Sequence, residues 1–263
     1  MEDISRVDSL DGTPIACART GHGPAVVIVS GALCTAADES AIAARLASHG
    51  FTAVTYDRRG RGASGDTGPY AVAREVEDLA AVIEAAGGSA FVYGTSSGAA
   101  LAFEAAASGL PITRVAGYEP PLTTDEDDTP SRLAHSARVH ALIAAGRHDD
   151  TVAQFVSGTG VPPEVIDEMR GTEAWASWVA LAPSIGYDFA VLGDSLVPVD
   201  RLSRIEVPLL VVTGGDTFGW MVPAARLVAE SAPFGEHRLL AGQTHVVSPE
   251  VLVPVLAEFY AAT

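Results

Sequence analysis

A serine between two glycines follows a short apolar run and precedes a run of small residues. The sequence there reads Phe91-Val92-Tyr93-Gly94-Thr95-Ser96-Ser97-Gly98. Where a strand turns sharply into a helix, the residue at the turn takes strained backbone angles and exposes its side chain, and only small residues fit beside it. The pattern therefore predicts that Ser96 is a nucleophile, and a serine hydroxyl needs a neighbouring base to act as one.

The stretches on both sides of this serine alternate between strand-like and helix-like patterns, which predicts a doubly wound α/β sheet. Ala25 to Val29 is entirely apolar, as is typical of a strand buried on both faces of a parallel sheet. Ahead of it, Asp11-Gly12 indicates a hairpin. We predict the other strands at 51–56, 90–93, 112–118, 207–212 and 237–240, and helices at 36–49, 71–86, 97–107, 222–231 and 249–261.

The alternation is interrupted after Pro120-Pro121, and up to about residue 204 the spacing is helical throughout. Glycine and proline separate short predicted helices at 131–145, 150–156, 163–170 and 173–182. A stretch of this length is too long for an ordinary loop. We therefore predict a core of residues 1–121 and 205–263, with a helical domain of residues 122–204 inserted after the sixth strand.

Four landmarks, in their order along the chain, resemble those of the α/β-hydrolase fold family. Ser30-Gly31-Ala32 stands where the family carries His-Gly-x, and Tyr56 to Ser64 matches its D-x-R-G-x-G-x-S loop. Gly94 to Gly98 matches the nucleophile elbow, and His245 stands before the last helix, where the family keeps its catalytic histidine. The resemblance implies a mostly parallel sheet, a helical cap, and a hydrolase that uses no metal and no organic cofactor.

The same resemblance implies roles for the residues around Ser96. His245 would accept the serine proton, while we expect the other six histidines to lie at or near the surface. The backbone N–H groups of Ala32 and Ser97 would form an oxyanion hole. Since Ser30 replaces the histidine of the family, the loop that carries Ala32 must be braced by a different hydrogen bond.

The acidic member of the catalytic triad has two candidates, because the family keeps it after either the sixth or the seventh strand. After the seventh strand, the family keeps its aspartate at the last position of the pattern G-x-x-D. Counted from Gly214, that position is Thr217, so Asp216 stands one residue before the expected place. Glu119 closes the run 112–118, and a carboxylate at an apolar strand end needs a partner such as an imidazole N–H. We favour Glu119 and keep Asp216 as the alternative.

Large apolar side chains of the inserted domain and of two core loops could form a substrate pocket. Packing within the cap is the commoner role for such aromatic residues, but we expect some of them to line the pocket. In the loop after Ala32, we expect Cys34 to be a small buried residue rather than a reactive thiol. The predicted pocket residues are Leu33, Trp175, Trp178, Tyr187, Trp220 and Met221.

The composition excludes several classes of function. All 16 basic residues are arginine, against 33 acidic residues, for a net charge of −17. Nucleic acids and anionic membranes are therefore unfavourable partners, and without lysine there is no Schiff-base or P-loop chemistry. Two cysteines are too few for a disulfide framework. The acidic start of the chain and the lack of an apolar run of about 18 residues predict a cytoplasmic protein.

These observations predict a serine hydrolase that cleaves an ester, thioester or lactone of a small to medium, mostly apolar substrate through an acyl-enzyme. One alternative is a hydrolase fold retired to ligand binding or to non-hydrolytic chemistry, because a fold does not dictate a function. A cofactor-free perhydrolase would use the same triad, so the sequence cannot separate it from the first reading. We expect a monomer or a homodimer.

Overall fold

A computed structural model describes residues 5–262 and contains an eight-stranded sheet. The strands are β1 (Ser5–Asp8), β2 (Pro14–Gly21), β3 (Ala25–Val29), β4 (Thr52–Tyr56), β5 (Ala90–Thr95), β6 (Ile112–Tyr118), β7 (Leu209–Gly214) and β8 (Gly235–Leu240). Their order across the sheet is β1-β2-β4-β3-β5-β6-β7-β8. β2 is antiparallel to β1 and to β4, and all other neighbours are parallel. The predicted fold class and hairpin are thus confirmed.

Helices cover both faces of the sheet and fill the insertion between β6 and β7. They are α1 (Ser40–Ser48), α2 (Val72–Ala86), α3 (Ser97–Ala107), α4 (Thr129–Ala144), α5 (His148–Ser157), α6 (Pro163–Met169), α7 (Glu173–Leu181), α8 (Ile185–Leu192), α9 (Val199–Leu202), α10 (Met221–Ser231) and α11 (Pro249–Ala261). Two of them, α8 and α9, have no counterpart among the predicted helices. Within residues 5–262, none of the helices is long and apolar enough to cross a membrane.

The apolar strands are explained by a core on each side of the sheet. In β3, Val27 and Val29 join the cluster that contains α2, α3 and α10, while Val26 and Ile28 join the cluster that contains α1 and α11. Successive side chains of a strand point to opposite faces, so a strand covered on both faces must be apolar at every position.

The register of the parallel strands brings their carboxyl ends to one edge of the sheet. Val29 pairs with Gly94, Thr95 pairs with Tyr118, and Tyr118 pairs with Val212. The residues that directly follow β3, β5 and β6 therefore lie side by side. Ligands of open α/β sheets bind outside this edge.

The inserted segment (residues 122–204) has an apolar cluster of its own, which includes Val139, Val152 and Ile185. Its first residues lie beside residues 195–197, because the Thr123 N–H donates to the Ser195 carbonyl at 2.8 Å and the Val197 N–H donates to the Thr123 carbonyl at 3.1 Å. The segment thus leaves and rejoins the core at one place, close to the carboxyl end of β6.

Candidate active site

Ser96 occupies a strained turn between β5 and α3. Its backbone angles are φ 53° and ψ −126°, a conformation that side-chain-bearing residues rarely adopt. The Ser96 N–H donates to the Tyr118 carbonyl at 2.8 Å, which ties the turn to β6. A Cβ atom at Gly94 or Gly98 would overlap backbone atoms of Gly98 and Val29, respectively. Small residues are therefore required on both sides of the serine, which is itself half-buried.

The structure brings the carboxylate of Glu119 to the imidazole of His245. Glu119 Oε2 lies 2.6 Å from His245 Nδ1. The glutamate is fully buried, whereas 36% of the histidine side chain is exposed. Glu119 also accepts hydrogen bonds from the Gly214 N–H at 2.8 Å and from the Thr217 hydroxyl at 2.9 Å. A buried carboxylate needs such donors, and together they hold it in one orientation against the ring.

Asp216, the alternative acid, lies in the loop between β7 and α10. Its N–H donates to the Gln243 carbonyl at 2.9 Å and its side chain is exposed. No hydrogen bond or ion pair joins the Asp216 side chain to another group of the described chain. The neighbouring Thr217, on which the family's G-x-x-D spacing falls, instead donates to Glu119. The sequence analysis assigned no role to Thr217, although the last position of the G-x-x-D spacing falls on it.

The loop after β3 lies directly against the serine. A Cβ atom at Gly31 would stand 3.0 Å from Ser96 Cβ. The loop can therefore lie this close to Ser96 only because residue 31 is glycine. Leu33 has a φ of 58°, which turns the chain sharply after Ala32. Across from it, Ser97 begins α3, where backbone N–H groups have no partner within the helix. The Ala32 and Ser97 amides are thus carried by two backbone segments that adjoin Ser96.

Comparison with known proteins assigns the chain to a family. A family model described as the alpha/beta hydrolase family matches residues 26–255. The chain belongs to the α/β-hydrolase family. It is 47% identical to an α/β hydrolase from Sphaerobacter thermophilus, with a TM-score of 0.87 over 98% of this chain and 100% of the other.

Two further structures share the fold of this hydrolase at lower identity. A hydrolase from Pseudomonas aeruginosa is 23% identical over 99% of both chains, with a TM-score of 0.76. The enol-lactonase from Burkholderia xenovorans is 19% identical over 97% of this chain and 100% of the other, with a TM-score of 0.69. A search of curated proteins gave no match.

Four buried charged side chains of this hydrolase are linked by ion pairs, and the sequence analysis assigned them no role. Arg58 and Arg61 come from the D-x-R-G-x-G loop, Glu75 from α2, and Asp188 from α8. Arg58 pairs with Glu75 at 2.6 Å and with Asp188 at 2.7 Å, and Arg61 pairs with Asp188 at 2.8 Å. Burial alone would raise the pKa of Asp188, but the guanidinium groups of Arg61 and Arg58 outweigh it and hold that pKa below its usual value.

The arginines supply the bracing that the loop after β3 needs in this hydrolase. Arg58 donates to the Ser30 carbonyl at 3.2 Å, and Arg61 donates to the carbonyls of Gly31 and Cys34. The Ser30 hydroxyl is buried and has no hydrogen-bond partner among residues 5–262. Burial, followed by the nearby Glu39 carboxylate, raises the pKa of the Cys34 thiol to about 12, so this cysteine is not a thiolate at neutral pH.

Two of the predicted pocket residues contact other parts of the described chain. Trp175 is 2% exposed in the core of the inserted segment, with its indole N–H on Asp149 at 2.7 Å. Tyr187 stacks on Tyr70 at 3.8 Å and donates to Asp66, at the seam between the segment and the core. Trp175 packs within the inserted segment, whereas the Tyr187 ring packs against Tyr70 of the core.

The other four predicted pocket residues lie in different surroundings. Leu33 packs into the core of the inserted segment, and Trp178 lies half-buried at its edge. Met221 is buried, and its sulfur lies 3.5 Å from the Thr217 hydroxyl, close to the acid. Trp220 is half-buried beneath the guanidinium of Arg132. Within residues 5–262, no group of three or more His, Cys, Asp or Glu side chains is placed to hold a metal ion.

Proposed function

We propose that this protein is a serine hydrolase that cleaves the ester, thioester or lactone bond of a small to medium, mostly apolar substrate. The observation that carries the proposal is the contact of 2.6 Å between the buried Glu119 carboxylate and His245 Nδ1. A carboxylate on this ring nitrogen selects the tautomer whose Nε2 can accept a proton. The strained turn at Ser96 supplies the hydroxyl from which that proton would come.

The reaction follows from these positions. The Ser96 oxygen attacks the substrate carbonyl carbon while His245 accepts the serine proton, and Glu119 stabilises the imidazolium that forms. The developing oxyanion accepts hydrogen bonds from the Ala32 and Ser97 amides. Collapse of the tetrahedral intermediate breaks the bond from the carbonyl carbon to the alcohol oxygen or thiol sulfur, which takes the proton from His245. This group leaves from an ester or thioester, and in a lactone it stays attached to the acyl chain. Water then attacks the acyl-enzyme by the same route and frees the acid.

Two proteins that share the fold are the enol-lactonase described above and an esterase from Exiguobacterium antarcticum. This similarity supports ester and lactone bonds as the ones that are cleaved. We propose in addition that the inserted segment acts as a cap over the core of residues 1–121 and 205–263. Trp178, Trp220 and Met221 would then contribute the apolar surface that a substrate contacts.

Labelling with a fluorophosphonate tests this function. The wild-type protein is expected to gain the mass of one phosphonyl group, located on Ser96 by peptide mapping, because only an activated serine reacts rapidly. Ser96→Ala should remain unlabelled while its circular dichroism is unchanged. A folded wild-type protein that takes no label, and hydrolyses no member of a panel of acyl esters, thioesters and lactones, would support the ligand-binding alternative instead.

Thr217→Val is expected to lower kcat/KM about tenfold, because a hydrogen bond to a charged group contributes roughly 1.5–3 kcal/mol. The loss should stay below that of the acid itself, since the Gly214 N–H still holds Glu119. Steady-state kinetics on the best ester of the panel measure the effect. Thr217→Ser keeps the hydroxyl and should restore most of the activity. Equal rates for the valine variant and the wild type would show that this hydroxyl does not help to hold the acid.

A further inference from the structure

We propose that Asp188, a carboxylate of the inserted segment, positions both amides of the oxyanion hole and thereby makes the site complete only when α8 is docked on the core. The inference rests on the proposed serine hydrolase function and adds to it a positioning residue outside the triad. Its basis is a set of contacts that one buried side chain makes with the two backbone segments on either side of Ser96.

Asp188 is the meeting point of three donors. Its Oδ1 accepts hydrogen bonds from Arg58 Nη1 at 2.7 Å, from Arg61 Nη2 at 2.8 Å and from the Ser97 hydroxyl at 2.7 Å. Its Oδ2 accepts a second bond from Arg61 Nη2 at 2.8 Å. The aspartate is 1% exposed, so water does not compete with these contacts.

The first amide is set through Arg61. This guanidinium donates to the Gly31 carbonyl, which belongs to the same peptide group as the Ala32 N–H. In a trans peptide the two groups point in opposite directions, so a fixed carbonyl also fixes the direction of the N–H. Asp188 holds Arg61 from its other side, and the direction of the Ala32 N–H therefore depends on a residue of the inserted segment.

The second amide is set directly. The Ser97 N–H is attached to the Cα atom that also carries, through Cβ, the Ser97 hydroxyl, and Ser97 is the first residue of α3. The hydrogen bond from the hydroxyl to Asp188 restrains the Ser97 side chain and with it the first residue of the helix. A single carboxylate thus acts on both amides, whereas the neighbouring Arg58 links it to the Ser30 carbonyl.

Another buried ion pair offers a matched control that lies away from the site. Asp78 is 1% exposed and pairs with Arg59, with two contacts of 2.7 Å. Arg59 belongs to the same loop as Arg58 and Arg61, but its remaining contacts are with Asp11 and with the carbonyls of Thr67 and Arg74. Loss of this pair should destabilise the fold without reaching the oxyanion amides.

The experiment compares Asp188→Asn with Asp78→Asn. We expect Asp188→Asn to lower kcat on p-nitrophenyl butyrate about 10²-fold, the effect of misplacing one oxyanion donor, with KM changed by less than about threefold. Asp78→Asn should lower the midpoint of thermal unfolding comparably while kcat stays within about twofold. Equal kcat losses in the two variants would overturn the proposal, because they would show a general effect of lost stability.

Two further measurements keep the result decisive. Ser97→Ala removes only the hydroxyl and leaves every ion pair, so it should fold even if Asp188→Asn does not, and it should lower kcat about tenfold. An unchanged kcat in Ser97→Ala would contradict the proposal. Hydrogen–deuterium exchange of residues 30–34 should increase in Asp188→Asn and not in Asp78→Asn. This readout needs no turnover, so it decides the positioning role even if the wild-type protein proves not to be a hydrolase.

Discussion

Glu119→Gln is expected to lower kcat by about 10⁴-fold while the protein keeps its fold. Glutamine has the same shape, and its carbonyl can still accept the hydrogen bond that the Gly214 N–H donates at 2.8 Å. It carries no charge to stabilise the imidazolium of His245, and its amide can present an N–H to the ring nitrogen that must itself donate. The substitution therefore removes the electrostatic and the orienting contribution together.

The comparison variant is Asp216→Asn, which should keep kcat within about twofold because the Asp216 side chain is exposed. Both variants are measured by steady-state kinetics on the best ester of the panel, with circular dichroism to establish folding. A severe loss in Asp216→Asn together with a mild one in Glu119→Gln would reverse the assignment of the acid.

Gly98→Ala is expected to abolish most activity and to destabilise the protein by about 3 kcal/mol. A Cβ at this position would overlap the Val29 carbonyl and stand 2.6 Å from the Ser30 carbonyl oxygen. Both obstacles are backbone atoms, which cannot rotate away as a side chain can. The methyl group can fit only if α3 and the end of β3 move apart, and that movement separates Ser97 from the loop that carries Ala32. A loss of kcat of at least about 10²-fold should follow.

The matched control for this substitution is Gly171→Ala in the inserted segment. A Cβ at Gly171 would meet no heavy atom of the described residues within 4 Å, and the φ of Gly171 lies outside the left-handed region. This variant should keep the wild-type kcat and midpoint of thermal unfolding. Kinetics and thermal denaturation of both variants check the prediction, and a fully active, stable Gly98→Ala would show that the turn tolerates a side chain.

Different buried contacts underlie these two predictions. Glu119 contacts His245 from the end of β6, while Asp188 contacts Ser97 and, through Arg61, the loop after β3. The proposed triad and the proposed oxyanion amides thus depend on separate sets of hydrogen bonds. Variants of the first system should lower kcat through proton transfer, and variants of the second should lower it through stabilisation of the oxyanion.

The local parts of the site were predictable from sequence. The elbow around Ser96 depends on glycines within two residues of it, and the strand-helix alternation depends on the periodicity of neighbouring residues. The sequence therefore sufficed to predict the doubly wound fold, which the structure and the family match confirm. The order of the landmarks along the chain singled out His245 among seven histidines.

Contacts between distant parts of the chain were decided only by the tertiary structure. Glu119 and Asp216 were both compatible with the sequence, and the register of β6 and β7 placed the first of them on a ring 126 residues away. Trp175 lies in the apolar cluster of the inserted segment and Tyr187 stacks on Tyr70, and neither contact follows from the spacing of these residues along the chain. Asp188 and Thr217 could not be identified from the sequence for the same reason. The role of a polar side chain depends on the donors and acceptors that folding brings next to it, and the spacing of residues along the chain does not show which groups will be its partners.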